Sequence, residues 1–171
     1  MKEVFVMGGA VLKFLGIAAL GTLGHFIYDW TGENSVIGWF FPVNESIFEH
    51  LKLIFFPAII YSVAEHFIKK KPCTNCLPSL LSALVCGMLS IIVSFYTYTG
   101  VLGFKIDFLN ILIFFLAVAV FVSKYNKKVN SGEYSSKKAS LISLILLVLI
   151  AFLFGYFTEN PLSIPLFIPP R

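Results

Sequence analysis

Residues Ala139 to Phe157 read A-S-L-I-S-L-I-L-L-V-L-I-A-F-L-F-G-Y-F, a run with no charged side chain. A helix needs about 20 mainly apolar residues to cross the hydrocarbon core of a bilayer. This run meets that length and predicts a membrane span. Lys137 and Lys138 stand immediately before it, and Lys124, Lys127 and Lys128 precede them across a short polar stretch. Lysines clustered between apolar runs mark the cytoplasmic side of a membrane protein.

Working outward, four further runs have the same character. The spans are expected near residues 8–28, 46–68, 77–98, 108–123 and 139–157, with a Pro-rich tail over 158–171. The expected fold is all-α: a single transmembrane domain, a bundle of five transmembrane helices. Lys69, Lys70 and Lys71 fall between spans 2 and 3, and the second lysine cluster falls between spans 4 and 5. That arrangement places the N-terminus inside and the C-terminus outside. The first apolar run has no convincing cleavage site before His25, Asp29 and Trp30, so it reads as a retained span. Lys13 lies near its start and is expected to snorkel to the headgroups. Pro57 is expected to kink span 2, the least hydrophobic of the five.

Composition agrees. Apolar residues make up 58% of the 171 positions and charged residues 13%, against roughly 45–50% and 25% in soluble domains. Disorder, a collagen-like chain and an ordinary soluble enzyme are excluded. The net charge of +4 comes from loop lysines rather than a basic face, which argues against nucleic acid as a partner. No internal repeat, nucleotide-binding loop or nucleophile elbow is present.

Two segments expected outside are neither spans nor ordinary loops. Val36 to Val43, V-I-G-W-F-F-P-V, is too short to cross and should lie at the interface as an aromatic belt or re-entrant piece. The tail, T-E-N-P-L-S-I-P-L-F-I-P-P-R from Thr158, is too rich in proline for helix yet apolar. It is expected to lie across the outer mouth of the bundle.

Polar groups converge at that mouth. Asp29, Glu33, Glu45 and Glu49 fall in one stretch with no Lys or Arg between them, flanked by His25 and His50. His25 and Asp29 share a helical stripe, as do Glu45 with Glu49 and Ser46 with His50. Glu49 and His50 point about 100° apart, so both reach one point only if span 1 packs into the angle between them. Ala18, Gly21 and Gly24 supply the small residues for such packing. Histidine with carboxylate suits a divalent metal such as Zn²⁺. The candidate ligands are His25, Asp29, Glu49 and His50. Glu45 and Glu49 are the candidate catalytic carboxylates, and Tyr28, Asn44 and Ser46 are candidate ligand-binding groups. The structural reading stands beside this one. Ser46-Ile47-Phe48-Glu49 fits a capping box, and acids in a first turn favour the helix dipole.

Elsewhere, Glu65 and Lys69 have the i,i+4 spacing of an ordinary ion pair beside His66. Cys73 and Cys76 have zinc or redox spacing without a second pair, and are expected as two reduced thiols. Tyr96 and Tyr98 are belt candidates, and Asn110 is a weaker polar candidate.

The segment P-V-N-E-S-I-F-E-H-L-K over 42–52 resembles a family of small bacterial polytopic membrane proteins known only as a domain of unknown function. Its members share P-V-N-E-S-x-x-E-H-L-K, a first span like G-x-x-x-H-x-x-Y-x-W, and a T-x-x-P-P-x-x-P-L-F ending. Here the corresponding stretches are G-T-L-G-H-F-I-Y-D-W over 21–30 and T-E-N-P-L-S-I-P-L-F over 158–167, with Leu162 in place of a second proline. The resemblance implies a multi-pass protein of the plasma membrane, in a Gram-positive type of bacterium, and no activity. A fainter likeness is to intramembrane metallohydrolases related to alkaline ceramidases and adiponectin receptors. Those hold zinc with S-x-x-x-H, an Asp and H-x-x-x-H. Ser46 to His50 supplies the first element and Asp29 stands for the second, while the paired histidines are missing.

The leading expectation is therefore a site for a divalent metal or small polar ligand, with hydrolysis of a lipid-type substrate as its chemistry. The alternatives are a transporter or substrate-capturing membrane subunit, and a structural protein whose cluster fixes helix packing. Membrane lipid is the expected partner.

Overall fold

The computed structural model describes residues 2–69, 73, 75–131 and 136–170. All its regular elements are helices: α1 (Lys2–Trp30), α2 (Ser35–Gly38), α3 (Ile47–Lys69), α4 (Cys76–Leu102), α5 (Asp107–Ser131) and α6 (Lys137–Glu159). Five of them, all but α2, are long and apolar enough to cross a membrane, as expected of a multi-pass membrane protein. The chain thus has two ends. One, the cap end, carries the 31–46 segment, the α4–α5 turn and the tail. The other carries the lysine-bearing loops, of which Lys70, Lys71 and residues 132–135 lie outside the described residues.

The polar content of α3 is explained by its place in the bundle. It is the most buried of the five spans and packs against α1, α4, α5 and α6. A helix wrapped by protein can carry Glu49, His50 and Lys52, because neighbouring chains supply partners that lipid cannot. It runs unbroken through Pro57. The core around it is aliphatic and aromatic: Ile17, Ile54, Phe55, Ala58, Leu84, Val118 and Phe121 are all fully enclosed.

Small residues set the α1–α3 distance. A Cβ on Gly21 would stand 2.5 Å from the Leu53 carbonyl oxygen and 2.6 Å from the Phe114 ring. Only glycine lets the two backbones approach this closely.

The helix ends differ from the hydropathy boundaries. α5 continues to Ser131, past Lys124, Lys127 and Lys128, where the apolar run stops at 123. Hydropathy reports where lipid ends, and lysine is a good helix former, so the helix continues beyond it. The aromatic segment contains one short helical turn, capped by Asn34, whose side chain accepts from Val36 N–H and Ile37 N–H. Trp39 then seats its ring on Gly155 of α6 and donates through Nε1 to Glu159 at 2.6 Å.

The tail returns to the cap end. Phe167 packs at a tilt against Phe48, with ring centroids 4.3 Å apart. The Leu166 carbonyl accepts the Phe48 N–H at 2.9 Å, satisfying one of the unpaired donors at the start of α3.

Two expectations change. Lys13 does not snorkel. It is buried, pairs with Glu65 at 2.8 Å, donates to Asn126 Oδ1 at 2.9 Å and lies over the Tyr125 ring. An ammonium given those partners between α1, α3 and α5 has no need of the headgroups. Glu65 thereby has an interhelical partner, while its expected pairing with Lys69 involves a side chain outside the described residues. Cys73 and Cys76 are joined in a disulfide rather than left as thiols, their Cα atoms 5.4 Å apart and within normal bridging reach.

Candidate metal centre

His25 sits on the last full turn of α1, four residues from the small-residue contact at Gly21. His50 sits on the first turn of α3. Their rings meet edge to face with centroids 5.4 Å apart. Glu45 enters from the segment before α3 and divides its carboxylate between them. Oε1 lies 3.5 Å from His25 Nε2, and Oε2 lies 3.4 Å from His50 Nε2. One ligand atom from each of the three residues lies within 4.8 Å of the others.

The hydrogen bonding of His50 decides which nitrogen is available. Its Nδ1 is 2.8 Å from the Ser46 carbonyl oxygen. A carbonyl only accepts, so Nδ1 carries the hydrogen, and Nε2 of the neutral ring presents a lone pair to the cluster. A backbone carbonyl orienting a ligating imidazole in this way is a recurrent feature of metal sites.

Charge-assisted N–H···O bonds run about 2.7–2.9 Å. Two ligands each ~2.0–2.1 Å from a tetrahedral zinc stand ~3.3–3.4 Å apart. The values of 3.4 and 3.5 Å are long for such a hydrogen bond and run to different oxygens of the one carboxylate, so the cluster is a loose grouping of possible ligand atoms within 4.8 Å of one another rather than a closed zinc geometry. With no ion between them, a hydrogen bond from His50 holds the Glu45 carboxyl below the usual carboxylate range against partial burial, and the charges of His50, His25 and Lys105 act in the same direction as that bond.

Two cavities meet at this cluster. The larger, about 360 Å³, lies between α1 and α5 and is lined by Thr22, His25, Phe26, Ile111, Phe115 and others. The smaller, about 40 Å³, runs toward Lys105, Ile91, Phe95 and Pro170. Glu45, His50, Asp107 and Asn110 line both. Tyr98 donates to Asn110 Oδ1 at 2.6 Å and accepts from Ile106 N–H at 3.2 Å, so the amide donors are what Asn110 has left to offer.

The structure distributes the sequence candidates between two sites. His25, Glu45 and His50 come together. Glu49 does not join them; it faces the opposite side of α3, with only 2% of its side chain exposed, and pairs with Lys52 Nζ at 2.7 Å. It also accepts from Val43 N–H at 3.0 Å and from the Thr158 hydroxyl at 2.9 Å. Lys52 donates further to the Gly38 carbonyl and the Thr158 hydroxyl. Glu49 and Lys52 thereby fasten the aromatic segment and α6 onto α3. The capping box is half formed: Ser46 Oγ accepts Glu49 N–H at 3.4 Å, but the Glu49 carboxylate turns away. Asn44 Oδ1 accepts the Ser46 N–H instead. Tyr28 packs on the aromatic segment at Gly38, and Asp29 is exposed beyond His25. Sequence reasoning missed Asp107 as a site residue and gave Lys105 no role. The available signal was an opposite-charge pair in a short turn at the same level as His25.

No characterised protein and no solved structure matches the chain. The family profile that does match extends over residues 5–169, and the chain belongs to DUF6512, a family of unknown function.

Proposed function

We propose that this membrane protein binds a divalent transition metal, zinc by its ligand chemistry, through His25 Nε2, His50 Nε2 and Glu45. The observation that carries the reading is the convergence of one possible ligand atom from each of His25, Glu45 and His50 within 4.8 Å, with Nδ1 of His50 committed to the Ser46 carbonyl. Two histidines and a glutamate leave one position of a tetrahedral ion for water, the pattern of hydrolytic zinc. Such an ion makes bound water acidic near neutral pH. Asp107, exposed at the rim of both cavities, is the carboxylate placed to accept a proton. Glu49 is committed to Lys52 and does not serve. The reaction supported is hydrolysis of a lipid-type substrate at the cap end. The lysine distribution supports placing that end outside the cell.

Transport is supported less. About 18 Å of helix separates His25 from the Lys13–Glu65 pair. The core between them includes the closed apolar layer of Ile17, Ile54, Phe55 and Ala58.

Cobalt substitution tests the assignment. Purified protein loaded with Co²⁺ should show the intense visible absorption of a four-coordinate site. His25→Ala, Glu45→Ala and His50→Ala should each abolish it, and Glu49→Gln should leave it. A spectrum unchanged by the three alanine variants would overturn the assignment.

A further inference from the structure

The 360 Å³ cavity is not enclosed by protein on the membrane side. Phe26 on α1 and Ile111 on α5 both line it, yet are 47% and 54% exposed. Both lie within the spans, and their lipid-facing neighbours Leu23, Phe108 and Leu112 are exposed as well. The opening therefore faces acyl chains. Its inner end is polar and its outer part, at Phe26, Ile111, Phe114 and Phe115, is apolar.

We propose that this cleft takes a single-chain amphiphile with an anionic head, admitted sideways from the membrane leaflet between α1 and α5. This rests on the metal reading and names its substrate class. The chain lies along Phe26, Ile111 and Phe115. The head reaches the His25–Glu45–His50 centre, with the Asn110 amide beside it and Lys105 in the adjoining 40 Å³ pocket. The volume selects one chain: about 360 Å³ is at the low end of the ~300–1,000 Å³ of small-molecule sites, and α1 and α5 flank the cleft with His50 and Leu53 of α3 at its back. The charge selects an anion. A divalent ion held by two neutral imidazoles and Glu45 keeps one net positive charge, while Lys105 and Asp107 stand 3.9 Å apart and offset each other. A lysophosphatidate and a fatty acid share this chemistry.

The test is photo-crosslinking of the full chain, zinc-loaded in detergent, with lysophosphatidate and fatty-acid probes bearing a diazirine near the chain end. A diacyl phosphatidylcholine probe of the same length is run beside them, and metal content is measured in every sample. Label should map to 22–26 and 111–115, at least tenfold above the diacyl probe. Ile111→Trp should cut it at least tenfold with metal content unchanged. Val148→Trp, on the exposed face of α6, should not. The stronger of the two single-chain probes identifies the head group. Label spread over α6, label insensitive to Ile111→Trp, or equal labelling by the diacyl probe would overturn the proposal while leaving the metal reading in place. Cleft labelling that Ile111→Trp removes, in wild-type protein that holds no metal, would refute the metal reading and retain the cleft assignment.

Discussion

Replacing Lys52 with methionine should destabilise the protein more than any single change at the metal centre. The Lys52 ammonium is fully enclosed and its partner Glu49 nearly so, 2.7 Å away. Methionine keeps the packing of the stem but leaves the Glu49 carboxylate buried with only Val43 N–H and the Thr158 hydroxyl as donors. It also orphans the Gly38 carbonyl, which accepts from Lys52 at 2.7 Å. Stranding one member of a buried pair costs about 3–5 kcal/mol. For a chain of this size that corresponds to a fall in melting temperature on the order of 10 °C. The assay is thermal unfolding in detergent, followed by tryptophan emission. Trp39 is a suitable reporter, because it is held to Glu159 beside the same contact. The double variant Glu49→Gln/Lys52→Met removes the stranded charge and should recover at least half of the loss. A single variant melting with the wild type, or a double variant no better than the single, would refute the view that Glu49 is a buried structural anion.

Other outcomes follow from particular contacts. Thr158→Val removes a donor to Glu49 and an acceptor for Lys52, and should cost about 1–3 kcal/mol, read from the same melts. Gly21→Ala forces α1 away from the Leu53 carbonyl and should cost about 1–3 kcal/mol; an unchanged melt would contradict the close approach. Gly155→Ala drives a methyl to within 2.4 Å of the Trp39 ring and should shift Trp39 emission as the indole leaves Glu159. Maleimide labelling of denatured protein should modify Cys86 alone before reduction and also Cys73 and Cys76 after it, counted by intact mass.

The fold was largely legible because lipid imposes one rule: backbone donors must be satisfied within each crossing segment, so apolar length announces helix. What hydropathy misses is where a helix ends in water, as at Ser131. It also misses which polar residue in a span is buried, as at Lys13. The site was half legible. His25 and His50 were found because two helix ends meet at one membrane level. The choice between Glu45 and Glu49 was not legible, since it depends on which side of α3 the α1 helix occupies. That is a packing decision made by Gly21 and Leu53. Lys52, three residues after Glu49 on the same helical face, was the available sign that Glu49 was already partnered. Asp29 shares the stripe of His25 but lies about 6 Å further along the axis, where α1 is ending.

The most direct measurement is the metal content of the purified protein by elemental mass spectrometry, after growth with added zinc and purification without chelator. Close to one zinc per chain is expected, lost in His25→Ala, Glu45→Ala and His50→Ala and retained in Glu49→Gln. No transition metal in the wild type, or loss with Glu49→Gln and not with Glu45→Ala, would contradict the assignment.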